Sequence, residues 1–367
     1  MNTDVTSANP SESATTTHTK RNSTIDMLRF VFIIVIVLFH QSARCCEIFA
    51  RGNMAVYFFF ILSGYLAAKS VKRHNVPGSS LIGGWASFMK RKVLAVHPEV
   101  ILTTLTYVIA YLAINRPELH AAISIPIKAF FCDILFLRMT GIEYSLGVGY
   151  GWYISSMLIC LLVLYPLLRH KQNGMLLFTI GILTLGYLKL STGILFPWTV
   201  SEKLCFTYAG NYVAIGGLSL GACISSVEIK SKVIHKNSIA ITLLLLAVCL
   251  YCLNTPFSPS DIPHTMDTLC LFSMFLLLLV TIGCKKEDAS DSNTGNPRWQ
   301  RMCLFLGRLS LPLYLIHLTC HTVLQSLFPR FQGLGYMACY LAFSLVTAYL
   351  VMLAAQPLRR TLAKWYE

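Results

Sequence analysis

The residues of this chain best suited to chemistry are histidines set inside apolar runs. His40 follows ten consecutive hydrophobic residues, Phe30 to Phe39, and His317 closes the stretch Leu311-Pro312-Leu313-Tyr314-Leu315-Ile316. An ionisable group at membrane depth is costly and marks a candidate functional site. An imidazole titrates close to neutral pH, so it can take up and return a proton. Arg29 lies eleven residues before His40, close to three helical turns, which puts both on one face roughly 16 Å apart along the axis. A cation near one membrane surface with a titratable base deeper on the same stripe fits a track for a charged, extended substrate. The plainer alternative is a polar histidine joining two helices. His317 is expected at a depth similar to that of His40, with His321 one turn further along the same face. No carboxylate or cysteine joins these histidines at ligand spacing, which argues against a metal site.

Other polar residues fall around the same apolar segments. In Phe58-Phe59-Phe60-Ile61-Leu62-Ser63-Gly64-Tyr65, Ser63 and Gly64 allow another helix to approach closely. Alternatively, Gly64 leaves room beside His40 for a thin substrate chain, with Ser63 at matching depth. Lys90, Arg91 and Lys92 precede an apolar run that begins at Val93 and carries Pro98. Such a cluster anchors a helix to anionic headgroups, or it clamps phosphate groups. Trp152 and Tyr153 suit either an aromatic belt at the membrane surface or the flat face of a sugar.

These residues must be positioned by membrane helices. Of the 367 residues 55% are hydrophobic and 13% charged, with a mean hydropathy of +0.61. Apolar runs recur along nearly the whole length, so the expected fold class is all-α: a polytopic integral membrane protein of about ten transmembrane helices. The expected spans are 27–46, 54–71, 93–113, 152–169, 174–190, 204–226, 238–253, 266–284, 303–325 and 334–355. With a cytoplasmic N-terminus, 20 lysines and arginines fall inside and eight outside, and Arg29 and Arg308 lie within spans. This positive-inside bias puts both termini in the cytoplasm and makes the net charge of +14 topological, with no nucleic-acid partner implied. Residues 121–137, interrupted by Pro126, Lys128 and Asp133, read as a re-entrant or interfacial helix on the outer side. The polar run Lys285 to Gln300 reads as a cytoplasmic linker. Residues 1–20, polar and without an apolar core, read as a disordered tail and not as a signal peptide, and residues 21–367 as one membrane domain. The 13 cysteines, scattered mostly through apolar runs, read as small hydrophobes.

Taken together these segments resemble the integral-membrane acyltransferase-3 family, the bacterial polysaccharide O-acyltransferases. The resemblance rests on Asp26-Met27-Leu28-Arg29 followed by His40, on Phe59-Phe60-Ile61-Leu62-Ser63-Gly64-Tyr65, on Tyr314-Leu315-Ile316-His317, and on Pro357-Leu358-Arg359-Arg360. The family pattern carries an arginine where this chain has Ala95 and a glutamate where it has Met157. Asp133 or Glu143 is a possible replacement for that carboxylate. The resemblance implies transfer of an acyl group, most often acetyl, from cytoplasmic acyl-coenzyme A to a hydroxyl of an outward-facing polysaccharide or lipid-linked sugar. It also implies a bacterial inner-membrane location. Acyl-coenzyme A (acetyl-CoA) is then a donor substrate and not a bound cofactor. Arg29, Arg91 and Lys92 would hold the donor, Ser63, Tyr314 and Trp152 the substrates, and His40 and His317 would be catalytic, His40 as general base or acyl carrier. Two rivals are a transporter or flippase of a glycan intermediate and an inactive membrane scaffold. The transporter lacks the inverted repeat and paired broken helices of its class.

Overall fold

The computed structural model describes residues 22–41, 48–74, 80–115, 118–141, 151–197, 199–256, 263–283 and 297–366. The expected tail 1–20, Glu143 and most of the 285–300 linker lie outside the described residues. Twelve α-helices are described: α1 Ser23–Phe39, α2 Val56–His74, α3 Leu81–Asn115, α4 Leu119–Ile134, α5 Gly151–Leu168 and α6 Gly174–Thr192, then α7 Ala209–Ile224, α8 Lys232–Lys236, α9 Ser238–Asn254, α10 Pro263–Gly283, α11 Pro297–Leu327 and α12 Gly333–Tyr366. Seven of these segments are long and apolar enough to cross a membrane (α2, α3, α5, α6, α10, α11 and α12). α1, α7 and α9, of 16 or 17 residues, pack among them. Each of the ten expected spans thus has its helix in an all-α polytopic membrane protein.

Several boundaries differ from expectation, each for a local reason. α1 stops at Phe39 with His40 as its C-cap, and residues 42–46 of the expected span lie outside the described residues. Its start is set by Asn22, whose side chain accepts from the Thr24 and Ile25 backbone N–H groups at 3.1 and 3.4 Å. The expected span from 204 begins instead with a tight hairpin, Lys203–Leu204 against Thr207–Tyr208, and the helix starts at Ala209. The segment expected at 121–137 forms α4, packed on α3. The last four residues assigned to the polar linker, 297–300, are already the first turn of α11.

Hydrogen bonds at the helix ends sort the connections onto two sides. At one end Asn22 donates to the Thr281 carbonyl at 3.4 Å, and Lys72 donates to the Ser225 carbonyl at 3.2 Å and to its hydroxyl at 2.9 Å. At the other, Tyr57 donates to the Leu195 carbonyl at 2.6 Å, and the buried Arg51 pairs with Asp267 at 2.6 Å and donates to the Thr255 carbonyl at 3.1 Å. We call these the Asn22 end and the Arg51 end. In a low-dielectric interior the Arg51–Asp267 pair is tolerable only because further acceptors surround the guanidinium.

Close helix contacts explain the glycines. A Cβ at Gly64 would overlap the Leu218 carbonyl oxygen, and one at Gly221 the Ile61 carbonyl oxygen, so α2 and α7 lie backbone against backbone. Gly64 therefore serves helix packing, and the space it was expected to leave beside His40 is taken up by α7. Cys249 and Cys252 have Cys-x-x-Cys spacing on α9, a pairing the scattered reading passed over; like Cys270 on α10 they are buried, free thiols.

Candidate functional site

α1 packs chiefly on α11, and α2 on α7. Where α1 and α11 face α2, with α3 and α5 closing the sides, lies a pocket of about 180 Å3, lined by Arg29, Ser63, Tyr153, Met157, Ser310 and Tyr314 among others. Its wall along α2 extends from Leu66 to Val56, ten residues or roughly 15 Å of helix. The lining is mostly apolar, with Arg29 toward the Asn22 end and hydroxyls further along. Such a channel accepts an uncharged, extended arm whose anionic end stays beside the guanidinium.

Arg29 owes its position to the first turns of α1. The Asp26 carboxylate is buried and stands 3.6 Å from the Arg29 guanidinium one turn away. It nests against α11 where a Cβ at Gly307 would overlap it. Ser63 and Tyr153 are joined hydroxyl to hydroxyl at 3.1 Å, and the Tyr153 ring meets Tyr314 edge-on at 5.4 Å. One turn beyond Tyr314, the His317 Nδ1 is 2.6 Å from the Tyr314 carbonyl oxygen. The His317 ring stands 5.1 Å from that of His40, centroid to centroid. His317 is buried, whereas His40 at the end of α1 keeps an exposed edge. Two imidazoles this close, one shielded and one open, are suited to proton transfer.

The expected site residues are distributed unevenly. Arg29, Ser63 and Tyr314 line the pocket; His40 and His317 meet beyond its end. Ser63 does not share the depth of His40: Phe39 packs at Gly52, and Ser63 lies eleven residues, roughly 16 Å, further along α2 toward the Asn22 end. Arg91 is exposed, and the Lys92 ammonium sits over the Phe88 ring at 5.4 Å. Neither lines the pocket, but Lys92 is one turn below Val96, which does. Trp152 is not a pocket residue. Its ring packs at 5.9 Å from Phe60 and 6.0 Å from Phe196, and its neighbour Tyr153 faces the pocket instead.

The two departures from the family pattern also find their places. Met157 lines the pocket, so an apolar wall stands where the pattern has a carboxylate. Ala95 is exposed, pointing away from the channel that Val96 lines. Asp133 is committed elsewhere: it accepts from Arg138 in an ion pair buried under the start of α5. Burial pushes its carboxyl up from the usual carboxylate range, and the Arg138 guanidinium opposes that shift. A second buried carboxylate, Glu99 on α3, is paired with Arg359 on α12, so the late basic pair has a partner inside the bundle. Gly307 and Glu99 have no assigned part in the sequence reading, Tyr153 enters it only as an aromatic beside Trp152, and Asp26 only as part of the motif that ends at Arg29. Asp26 alone carried a local signal, three residues before Arg29 on the same helix.

No curated protein and no solved structure matches the chain. A family model described as an acyltransferase domain matches residues 22–353, which holds every helix of the site. The chain belongs to the acyltransferase-3 family of acyltransferases.

Proposed function

We propose that the protein transfers an acyl group, acetyl first among the candidates, from cytoplasmic acyl-coenzyme A to a hydroxyl of an outward-facing glycan. The observation that carries this reading is the line from Arg29 through the pocket to Tyr314 and on to the His317–His40 pair. The Asn22 end is then cytoplasmic. The nucleotide phosphates stay at the mouth, where Arg29 and, one turn outside the channel, Lys92 and Arg91 supply positive charge. The neutral pantetheine arm threads the apolar channel with little desolvation cost. Its thioester arrives near Tyr314, and the open edge of His40 faces the acceptor.

In the transfer, His40 takes the acceptor hydroxyl's proton as the oxygen bonds to the acyl carbon. The carbon–sulfur bond breaks, and the proton passes to the departing thiolate. His317, held by its contact with the Tyr314 carbonyl, orients the His40 ring and shares its proton. The test is release of free coenzyme A from acetyl-CoA by the purified chain in a bilayer mimic. An acyltransferase releases it in proportion to added hydroxyl acceptor, whereas a transporter or a silent scaffold releases none.

A further inference from the structure

On α11, residues 314, 317 and 321 follow one another along a single face. Tyr314 lies in the pocket, His317 against His40, and His321 beyond them toward the Arg51 end. His321 enters a second polar cluster that no step above uses. Its Nδ1 is 2.9 Å from the Tyr336 hydroxyl, and its ring is 6.0 Å from Tyr340. Tyr336, Tyr340 and Ser344 are spaced by four on α12, all with no exposed surface. The same face continues as Ala348, Val351 and Ala355 toward the other end, so its hydroxyls are confined to the Arg51 half.

Gln41, the residue after His40, is 1% exposed and reaches into this cluster from the end of α1. Gln41 and Ser344 flank the Tyr340 hydroxyl. Both residues come within weak hydrogen-bonding reach of that hydroxyl, yet the amide atoms of Gln41 and the Tyr340 and Ser344 hydroxyls make no well-formed hydrogen bond to the described residues. Buried polar groups are nearly always satisfied, and leaving several together unsatisfied at membrane depth is expensive. An amide, a phenol and an alcohol form a neutral set of donors and acceptors. Such a set matches hydroxyl groups and offers no fixed charge to a phosphate or carboxylate.

We propose that Gln41, Tyr340 and Ser344 form the acceptor subsite, binding a hydroxyl arm of a neutral sugar beside His40. This deepens the acyl-transfer reading and rests on it. Acceptor and donor then meet at the histidine pair from opposite ends, the donor along Tyr314 and the acceptor along His321.

The test uses the full chain in lipid nanodiscs, with acetyl-CoA as donor and methyl glucoside as a neutral acceptor probe. Tyr340→Phe and Ser344→Ala each remove one hydroxyl and little volume, and each should raise the KM for methyl glucoside roughly tenfold, the scale of one lost hydrogen bond in a buried site. The KM for acetyl-CoA should stay within twofold of wild type. Ser344→Thr, which keeps the hydroxyl, should restore acceptor affinity. An unchanged methyl glucoside KM in Tyr340→Phe and Ser344→Ala overturns the subsite, as does a preference of the wild type for glycerol 3-phosphate over methyl glucoside. A parallel rise in the acetyl-CoA KM makes the cluster structural and also overturns it. Absence of any coenzyme A release by the wild type removes the acyl-transfer reading itself, and the subsite with it.

Discussion

Replacing the His40 imidazole by an amide keeps much of its size and hydrogen-bonding capacity but removes its ability to bind a proton near neutral pH. His40→Asn should therefore lower glycan acylation by about a hundred- to ten-thousand-fold, with protein level and membrane insertion retained. His317→Asn should cost less, because an amide can still meet the Tyr314 carbonyl and pack against His40. Equal losses in the two variants would make the pair a single catalytic unit and refute this division of labour. Arg91→Ala with Lys92→Ala should raise the KM for acetyl-CoA several-fold with little change in kcat, since both residues stand outside the channel; an unchanged KM reduces them to a topology anchor. At this scale the sequence was informative where a polar residue interrupts an apolar run, as at His40 and His317. It was silent where the partner comes from a distant helix. Nothing near Glu99 announces Arg359, 260 positions later, and Trp152 and Tyr153 are both interfacial aromatics until the rotation of α5 is known.

Helices, not side chains alone, hold the arginine at the channel mouth. Gly307 lets α11 approach α1 closely enough for the Asp26 carboxylate to sit between them. Gly307→Ala changes no charge and would drive that carboxylate, and with it Arg29, out of position. Overpacking of this kind typically costs on the order of 1–3 kcal/mol. The variant should still insert, melt at a lower temperature, and show an increased KM for acetyl-CoA; a wild-type KM would remove Asp26 from the positioning of Arg29. Element positions were readable because membrane helices declare themselves by apolar length. Their ends were less so. α1 ends at Phe39 with His40 as its cap although neither His40 nor Gln41 is a helix breaker, and the hairpin at 203–208 interrupts an apolar stretch that hydropathy reads straight through. The use of Gly64 was equally hidden, because a small residue signals close approach without saying by what.

For the whole molecule, the hydrogen bonds at the helix ends sort the connections in the alternation that ten crossings require. Arg51, Leu195, Thr255 and Asp267 gather at one end; Asn22, Lys72, Ser225 and Thr281 gather at the other. Combined with the lysine and arginine bias, this predicts that reporter fusions after Arg51 and after Lys286 report opposite sides, Lys286 on the cytoplasmic one. A common side for both would break the topology and the direction of transfer with it.

The pocket also lies where two blocks of the bundle meet. On one side α1 and α11 are locked by Asp26 and Gly307; on the other α2 and α7 are locked by Gly64 and Gly221. Across the boundary α1 meets α2 through the Phe32–Phe58 stack at 4.2 Å. A ligand that touches Arg29 on one block and Ser63 on the other therefore acts as mortar as well as substrate. Coenzyme A alone, without any acyl group to transfer, should raise the melting temperature, through a stabilisation that grows with the logarithm of its concentration and reaches about 2.7 kcal/mol at a hundred times its dissociation constant. In Arg29→Ala that stabilisation should largely disappear, because one half of the joint has lost its grip.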